Sequence, residues 1–249
     1  MYALTGKSVI VTGGAAGIGK AIVCAVAARG AAAVIADRDL AAARALEGEL
    51  RAHGLKAFAV GADVSDSAGV AALMEETVRL CGRIDVVVNN AGILGDAEIL
   101  DITDEAWRRM MSVDLDGVFY CCRESVRQMK RQGGGKIINI ASAGGKLGFP
   151  YAGVHYCAAK GAVMALTRQL ALQLGPEKIY VNCVAPGTTQ TEMVRHRSEE
   201  TIQYICSHIP LGRMGSPMDT AAAVVLLAGD SAGFITGETI DVNGGLYMA

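Results

Sequence analysis

Short runs of apolar, largely β-branched residues recur along the chain at 8–11, 33–36, 57–60, 84–88, 136–140, 179–184 and Thr239–Val242. Each is apolar at consecutive rather than alternate positions, the pattern of a parallel strand covered on both faces. Helix-length segments separate the runs. Ile18, Ala21, Ile22, Ala25 and Val26 form a stripe at helical spacing that stops at Gly30, and a second stripe over 41–53 stops at Gly54. Ser216, Pro217 and Asp219 read as a helix start, with a hydroxyl cap, proline at the first helical position and an acid at the third. This alternation implies right-handed βαβ units and an α/β fold: a doubly wound, Rossmann-type parallel sheet flanked by helices on both faces. No Pro/Ser-rich linker, low-complexity tract or repeat interrupts it, so residues 1–249 read as a single domain.

Composition narrows the functional classes. Hydrophobic residues make up 51% of the 249 positions and charged residues 19%, enough for a large core and incompatible with disorder. The 23 basic and 25 acidic residues are interleaved and the net charge is −2, so no basic face for nucleic acid is expected. The seven cysteines are scattered, without a CxxC pair, and Cys121 and Cys122 are adjacent. That suits neither a disulfide framework nor a zinc site, and it implies reduced thiols in a cytoplasmic protein without a metal. The longest apolar run, 221–228, is too short to cross a bilayer, and no basic region followed by a long apolar stretch opens the chain. An unprocessed protein with no membrane partner is expected.

The first predicted strand runs directly into Thr12-Gly13-Gly14-Ala15-Ala16-Gly17-Ile18-Gly19 and then a helix. Glycine is required where the chain turns tightly, where backbone approaches a pyrophosphate and where helix packs on strand. The amides at the helix start and its dipole can then hold phosphates. The spacing is G-x-x-x-G-x-G, and a structural turn alone would look similar. The second strand adds Asp37, ~20 residues beyond the glycines, where an acid accepts hydrogen bonds from ribose hydroxyls and repels a 2′-phosphate. Arg38 beside it is a guanidinium able to accommodate the phosphate of NADP. The acid at the strand tip is expected to dominate, making NAD the cofactor.

At this point the chain resembles the short-chain dehydrogenase/reductase family over its whole length. The glycine loop has the T-G-x-x-x-G-x-G form; Asn89-Asn90-Ala91-Gly92 resembles its N-N-A-G segment; Tyr156 and Lys160 resemble its Y-x-x-x-K motif with Ser142 upstream; Pro186-Gly187 with Thr191 resembles P-G-x-x-x-T. The resemblance implies that Gly13, Gly17, Ile18 and Gly19 hold the dinucleotide phosphates. It further implies that Asp63 and Val64 hold the adenine, that Asn90 lies along the cofactor, and that Thr189 and Thr191 meet its nicotinamide end and phosphates with Pro186 and Gly187. It also implies a homo-oligomer, a tetramer. The helices around Cys121 and Leu166 carry more apolar residues than one sheet face needs, and the apolar tail over 235–248 offers a second interface.

The proton chemistry can be read from the residues themselves. Tyr156 and Lys160 are four apart and share one helix face. A free tyrosine, with a pKa of about 10, is a poor base at neutral pH. A neighbouring ammonium and the positive nicotinamide ring both favour the phenolate. Tyr156 is thus expected to exchange the substrate proton, Ser142 to hold the substrate oxygen, and Lys160 to support the phenolate and bind the nicotinamide ribose. One position departs from the family pattern: Asp114 in Val113-Asp114-Leu115 stands where the family usually has Asn to anchor a water relay to the lysine. An acid there can still hold a water and pair with Lys160, or it can be a solvated helix residue.

The substrate is less legible. A lid is expected around 187–214, carrying Met193, Arg195, His196 and Arg197, with Lys146, Tyr151 and His155 in the segment before the catalytic tyrosine. These residues suit an anionic or hydroxylated small molecule, or they are the solvated faces of a mobile lid. NAD suggests oxidation of a secondary alcohol such as a sugar or polyol. Two other readings stay open: a 3-oxoacyl-thioester reductase on the same scaffold, and a non-catalytic dinucleotide-sensing or interaction protein.

Overall fold

The computed structural model describes residues 3–149, 151–194 and 197–248. Seven parallel strands form one sheet in the order β3-β2-β1-β4-β5-β6-β7. They are β1 Ser8–Thr12, β2 Ala32–Asp37, β3 Ala57–Gly61, β4 Val86–Asn89, β5 Gly135–Ile140, β6 Ile179–Pro186 and β7 Thr239–Val242. The doubly wound sheet expected from the sequence is present.

Side chains along each strand alternate between two separate cores, which is why the runs are continuously apolar. On one face Val9, Val11, Ile35 and Val88 meet Ile22 and Val26 of α1 (Gly17–Ala27), Leu46 of α2 (Leu40–Ala52) and Val224 of α8 (Pro217–Ala228). On the other, Ile10, Val34, Val87 and Ile137 meet Leu73 of α3 (Ser67–Cys81), Cys121 of α5 (Gly117–Gln132) and Val163 of α6 (Val154–Leu174). Each fully buried Val, Ile or Leu contributes about 1.5–3 kcal/mol. The fourth apolar run begins at Ile84, but β4 starts later. Just before β4, the Asp85 carboxylate accepts the Ser8 N–H at 2.9 Å, so this side chain ties down the base of β1. The start of α8 is a full capping box between Ser216 and Asp219 with Pro217 in the first turn.

Helix α4 (Asp104–Met111) runs into α5 through a π-helical segment, Ser112–Asp116. Among the described residues the lid includes a short turn at Glu192–Val194 and helix α7 (Glu199–Ser207), with a small core of its own: Ile205, Ile209 and Met214, against which Tyr151 and Leu246 pack. Among the described residues no helix is long and apolar enough to cross a membrane. After β3 the chain crosses β1 to form β4, so the sheet's winding reverses between β1 and β4. A crevice opens at the carboxyl ends of those two strands.

Candidate active site

The glycine loop between β1 and α1 forms one wall of that crevice. Gly13 adopts φ +60°, a region that L side chains avoid. A Cβ on Gly19 would sit 2.0 Å from the Gly13 carbonyl oxygen, so the first turn of α1 closes only on glycine. Residue Ala16 precedes α1 and no side chain caps the helix. Its first amides are therefore left for an anion.

The loop is fastened from β4. Thr12 Oγ1 accepts the N–H groups of Asn90 at 3.0 Å and Ala91 at 3.1 Å, while Asn90 Nδ2 donates to the carbonyls of Thr12 at 2.9 Å and Gly13 at 3.1 Å. Asn90 thus lines the crevice, but its amide is spent on shaping the glycine loop. Asp37 closes the far corner: Oδ2 accepts the Ala15 N–H and Oδ1 the Asp39 N–H, both at 3.0 Å. Arg38 beside it is exposed. Asp63 is also exposed and accepts both the N–H and the hydroxyl of Ser65, which hold its carboxyl below the usual range. Val64 is buried, and a Cβ on Gly117 would meet its Cγ2 at 2.9 Å. Asp37, Asp63 and Val64 stand at or just past the tips of β2 and β3, outside the crevice wall itself.

Opposite the loop, β5 ends at Ile140 and presents Ser142, whose Oγ accepts the Gly144 N–H at 3.1 Å in a one-turn helix. Helix α6 brings Tyr156 and Lys160 to the same wall. A Cβ on Gly144 would lie 3.5 Å from Ser142 Oγ and 3.7 Å from Tyr156 Cε1, so the two groups converge on this glycine. Lys160 Nζ donates to the Ile140 carbonyl at 3.2 Å and lies 5.8 Å from the centre of the Tyr156 ring.

The π-helical segment turns Asp114 inward. It is 0% exposed; Oδ1 accepts the Ile93 N–H at 2.8 Å and Oδ2 lies 3.1 Å from Lys160 Nζ. That contact is too poorly aligned to count as a hydrogen bond, so Oδ2 has ion-pair attraction but no aligned donor. A solvated helix position for Asp114 is thereby ruled out. Burial pushes the Lys160 ammonium down, but the facing Asp114 and then Tyr156 outweigh it, and the net direction is up. Gly92 permits the approach: a Cβ there would stand 2.9 Å from Asp114 Oδ2.

From β6, Pro186 and Gly187 lead into the lid. Thr189 Oγ1 donates to the Gly187 carbonyl at 3.0 Å. Thr191 faces Gly17, whose added Cβ would be 3.5 Å from Thr191 Cγ2, so the lid begins over the glycine loop. Thr188 escaped the sequence reading because it fills a variable position of the P-G-x-x-x-T segment. It lines the crevice, and its buried Oγ1 has no partner among the described residues. With the uncapped α1 terminus, this orphan hydroxyl fits a crevice built around a polar dinucleotide.

The whole crevice encloses about 340 Å³ and gathers Gly13, Gly17, Ile18, Gly19, Asn90, Asp114, Ser142, Tyr156, Lys160, Pro186, Gly187, Thr189 and Thr191. The same crevice has an apolar share of lining: Ile93, Leu94, Phe149, Val194 and Leu246, with Tyr151. Leu246 belongs to the C-terminal tail, so part of that segment is used inside the chain rather than left for an interface. Of the polar residues expected near the substrate, Tyr151 and Arg197 line the crevice. Lys146 is paired with Asp241 at 2.6 Å, and His155 is buried outside the crevice wall. Arg195, His196 and the Met193 side chain lie outside the described residues.

Residues 13–247 match the family model described as enoyl-(acyl carrier protein) reductase. The chain is 40% identical over 243 residues to the Staphylococcus aureus 3-oxoacyl-(acyl-carrier-protein) reductase FabG, covering 97% of this chain and 98% of that one. A short-chain type dehydrogenase/reductase from Mycobacterium marinum superposes with a TM-score of 0.95 at 34% identity, covering 100% and 98%. A 3-oxoacyl-(acyl-carrier-protein) reductase from Brucella melitensis, solved with bound NAD, superposes with a TM-score of 0.93 at 35% identity, covering 100% and 94%.

Proposed function

Because the chain belongs to the short-chain dehydrogenase/reductase family and is therefore a nicotinamide-dependent oxidoreductase, we propose that it reduces a 3-oxoacyl thioester to the 3-hydroxyacyl product with NADH. The observation that carries this reading is the convergence of Ser142, Tyr156 and Lys160 on one crevice that also contains the glycine loop. Full-length similarity to relatives named 3-oxoacyl-(acyl-carrier-protein) reductases favours a thioester over the sugar or polyol expected from Asp37. Asp37 itself, anchored by two backbone N–H groups at the corner of β2, supports NADH over NADPH.

The backbone of Gly13, Gly17, Ile18 and Gly19 would hold the pyrophosphate at the uncapped start of α1. Asp37 would hold the adenosine ribose, and Asp63 and Val64 the adenine. Asn90 would run alongside, while Pro186, Gly187, Thr188, Thr189 and Thr191 would meet the nicotinamide end. When bound, the nicotinamide supplies the hydride. The Tyr156 hydroxyl then gives its proton to the substrate oxygen, and takes it back in the reverse direction. Ser142 donates a hydrogen bond to the same oxygen as charge develops on it. Lys160 steadies the phenolate and would also donate to the ribose. Asp114 keeps Lys160 charged and in position, in place of a longer water relay.

The test is nicotinamide absorbance with acetoacetyl thioesters, sugars and polyols, using both cofactors. Reduction of the thioester, at least about tenfold more efficient with NADH than with NADPH, supports the reading. Oxidation of polyols with thioesters inert would overturn it. We further propose a cytoplasmic homotetramer. Phe119 on α5 and Leu172 on α6 are 43% and 75% exposed, apolar surface suited to a second copy. Cys121, by contrast, is buried within the chain. Light scattering near the 25.8 kDa mass of one chain would remove the assembly.

A further inference from the structure

In and beside the crevice stand three cations, Lys160, Lys146 and Arg197, and they are not equivalent. The Lys160 charge is already answered by Asp114 at 3.1 Å. Lys146 is answered by Asp241 at 2.6 Å, lies 5.2 Å from the Tyr247 ring centre and is not part of the wall. Glu192 lines the crevice but is exposed and already partnered. Arg197 remains. It lines the crevice and, among the described residues, no carboxylate pairs with it.

The Arg197 guanidinium is held in one orientation. Its carbon stands 4.6 Å from the centre of the Tyr151 ring, and Nη2 donates to the Tyr151 carbonyl at 3.2 Å. Tyr151 is fixed in turn by edge-on contacts with Phe149 at 6.0 Å and Tyr204 at 6.3 Å. A guanidinium has five N–H donors in a rigid fork, and this stack uses few of them. Arg197 shares the crevice lining with Ile93, Leu94 and Leu246, and in such apolar surroundings a charge-assisted hydrogen bond is worth more than in water.

We propose that Arg197 is the specificity-determining residue of the substrate half, and that it recognises an anionic group, a phosphate or a carboxylate, carried by the substrate beyond its reacting carbonyl. This rests on the carbonyl-reductase reading of the same crevice. It differs in where it assigns selectivity, namely to one lid side chain.

The experiment compares the parent with Arg197→Gln on three NADH-dependent substrates. Acetoacetyl-coenzyme A carries phosphates, acetoacetate a carboxylate, and S-acetoacetyl-N-acetylcysteamine no charge. The expected result is a KM increase of roughly 10- to 100-fold for an anionic substrate, with the neutral thioester changed less than about twofold and Arg197→Lys intermediate. An effect confined to the coenzyme A ester identifies phosphate. An effect confined to acetoacetate identifies carboxylate, retains the role of Arg197 and counts against the thioester reading. Equal effects on charged and neutral substrates, or no effect on any, would overturn the proposal. Should none of the three be reduced, the thioester reading fails by itself. The same comparison is then made by fluorescence titration of the NADH-loaded protein with the three compounds, on the same criterion.

Discussion

One wall of the crevice is built from backbone and the other from side chains. In the cofactor wall the fit is made by the Gly13 and Gly19 geometry, the free amides of α1 and the bonds from Thr12 and Asn90 that clamp the loop. In the substrate wall Phe149, Tyr151, Arg197 and Leu246 arrive from segments far apart in the chain and meet around the small lid core. The backbone wall leaves little room for sequence change, because a single added methyl at Gly19 collides with the chain. The side-chain wall can be redrawn residue by residue without touching the sheet. Ser142, Tyr156 and Lys160 form the seam between the two.

The seam offers the largest effect. Lys160→Ala leaves Asp114 buried and unpaired, and removal of one partner of such a pair costs about 3–5 kcal/mol. Urea unfolding should therefore shift strongly, with NADH affinity and turnover falling together. Unchanged stability would mean that water already reaches Asp114. Next comes the backbone wall. Gly19→Ala should cost about 1–3 kcal/mol of strain, appearing as weaker NADH binding by calorimetry. If NADH binds normally while the substrate KM rises, the division between the two walls is wrong. Asp37→Ala should narrow the preference for NADH by about tenfold, or 1.4 kcal/mol, in a direct comparison of both cofactors.

The smallest effect sharpens the seam. Asp114 raises the Lys160 pKa against the effect of burial, so the ammonium persists to higher pH than it otherwise would. Asp114→Asn removes that support and lets Lys160 lose its proton at lower pH. The variant should stay active near neutrality, while the alkaline fall-off of its pH–rate profile moves down. A profile that moves up, or does not move, would separate Lys160 from the titration.

The contrast between the walls also explains what could be read from the sequence. The strands, the glycine loop and the α8 cap were legible because each requires particular residue types at fixed spacing. Only glycine tolerates the Gly13–Gly19 contact, and only continuously apolar runs fill two cores at once. Asp114 was ambiguous because an acid on a helix normally faces water; it is turned inward by the π-helical segment, a change of hydrogen-bond register that no single residue type announces. Asn90 was legible as a residue of the crevice, but its clamping of the glycine loop depends on how β4 sits beside β1. Thr188 and Leu246 were missed because their roles follow from where β6 and the C-terminal tail end in space. Lys146 and Arg197 looked alike in sequence, and only the placement of Asp241 separates them.

The central claim is that Tyr156 exchanges the proton while the opposite wall carries the dinucleotide. Tyr156→Phe keeps the ring and removes only the oxygen, so turnover and NADH affinity should be measured on one folded preparation. The account predicts turnover lower by at least about 100-fold, with the NADH Kd within about twofold of the parent. Turnover at the parent rate would contradict it.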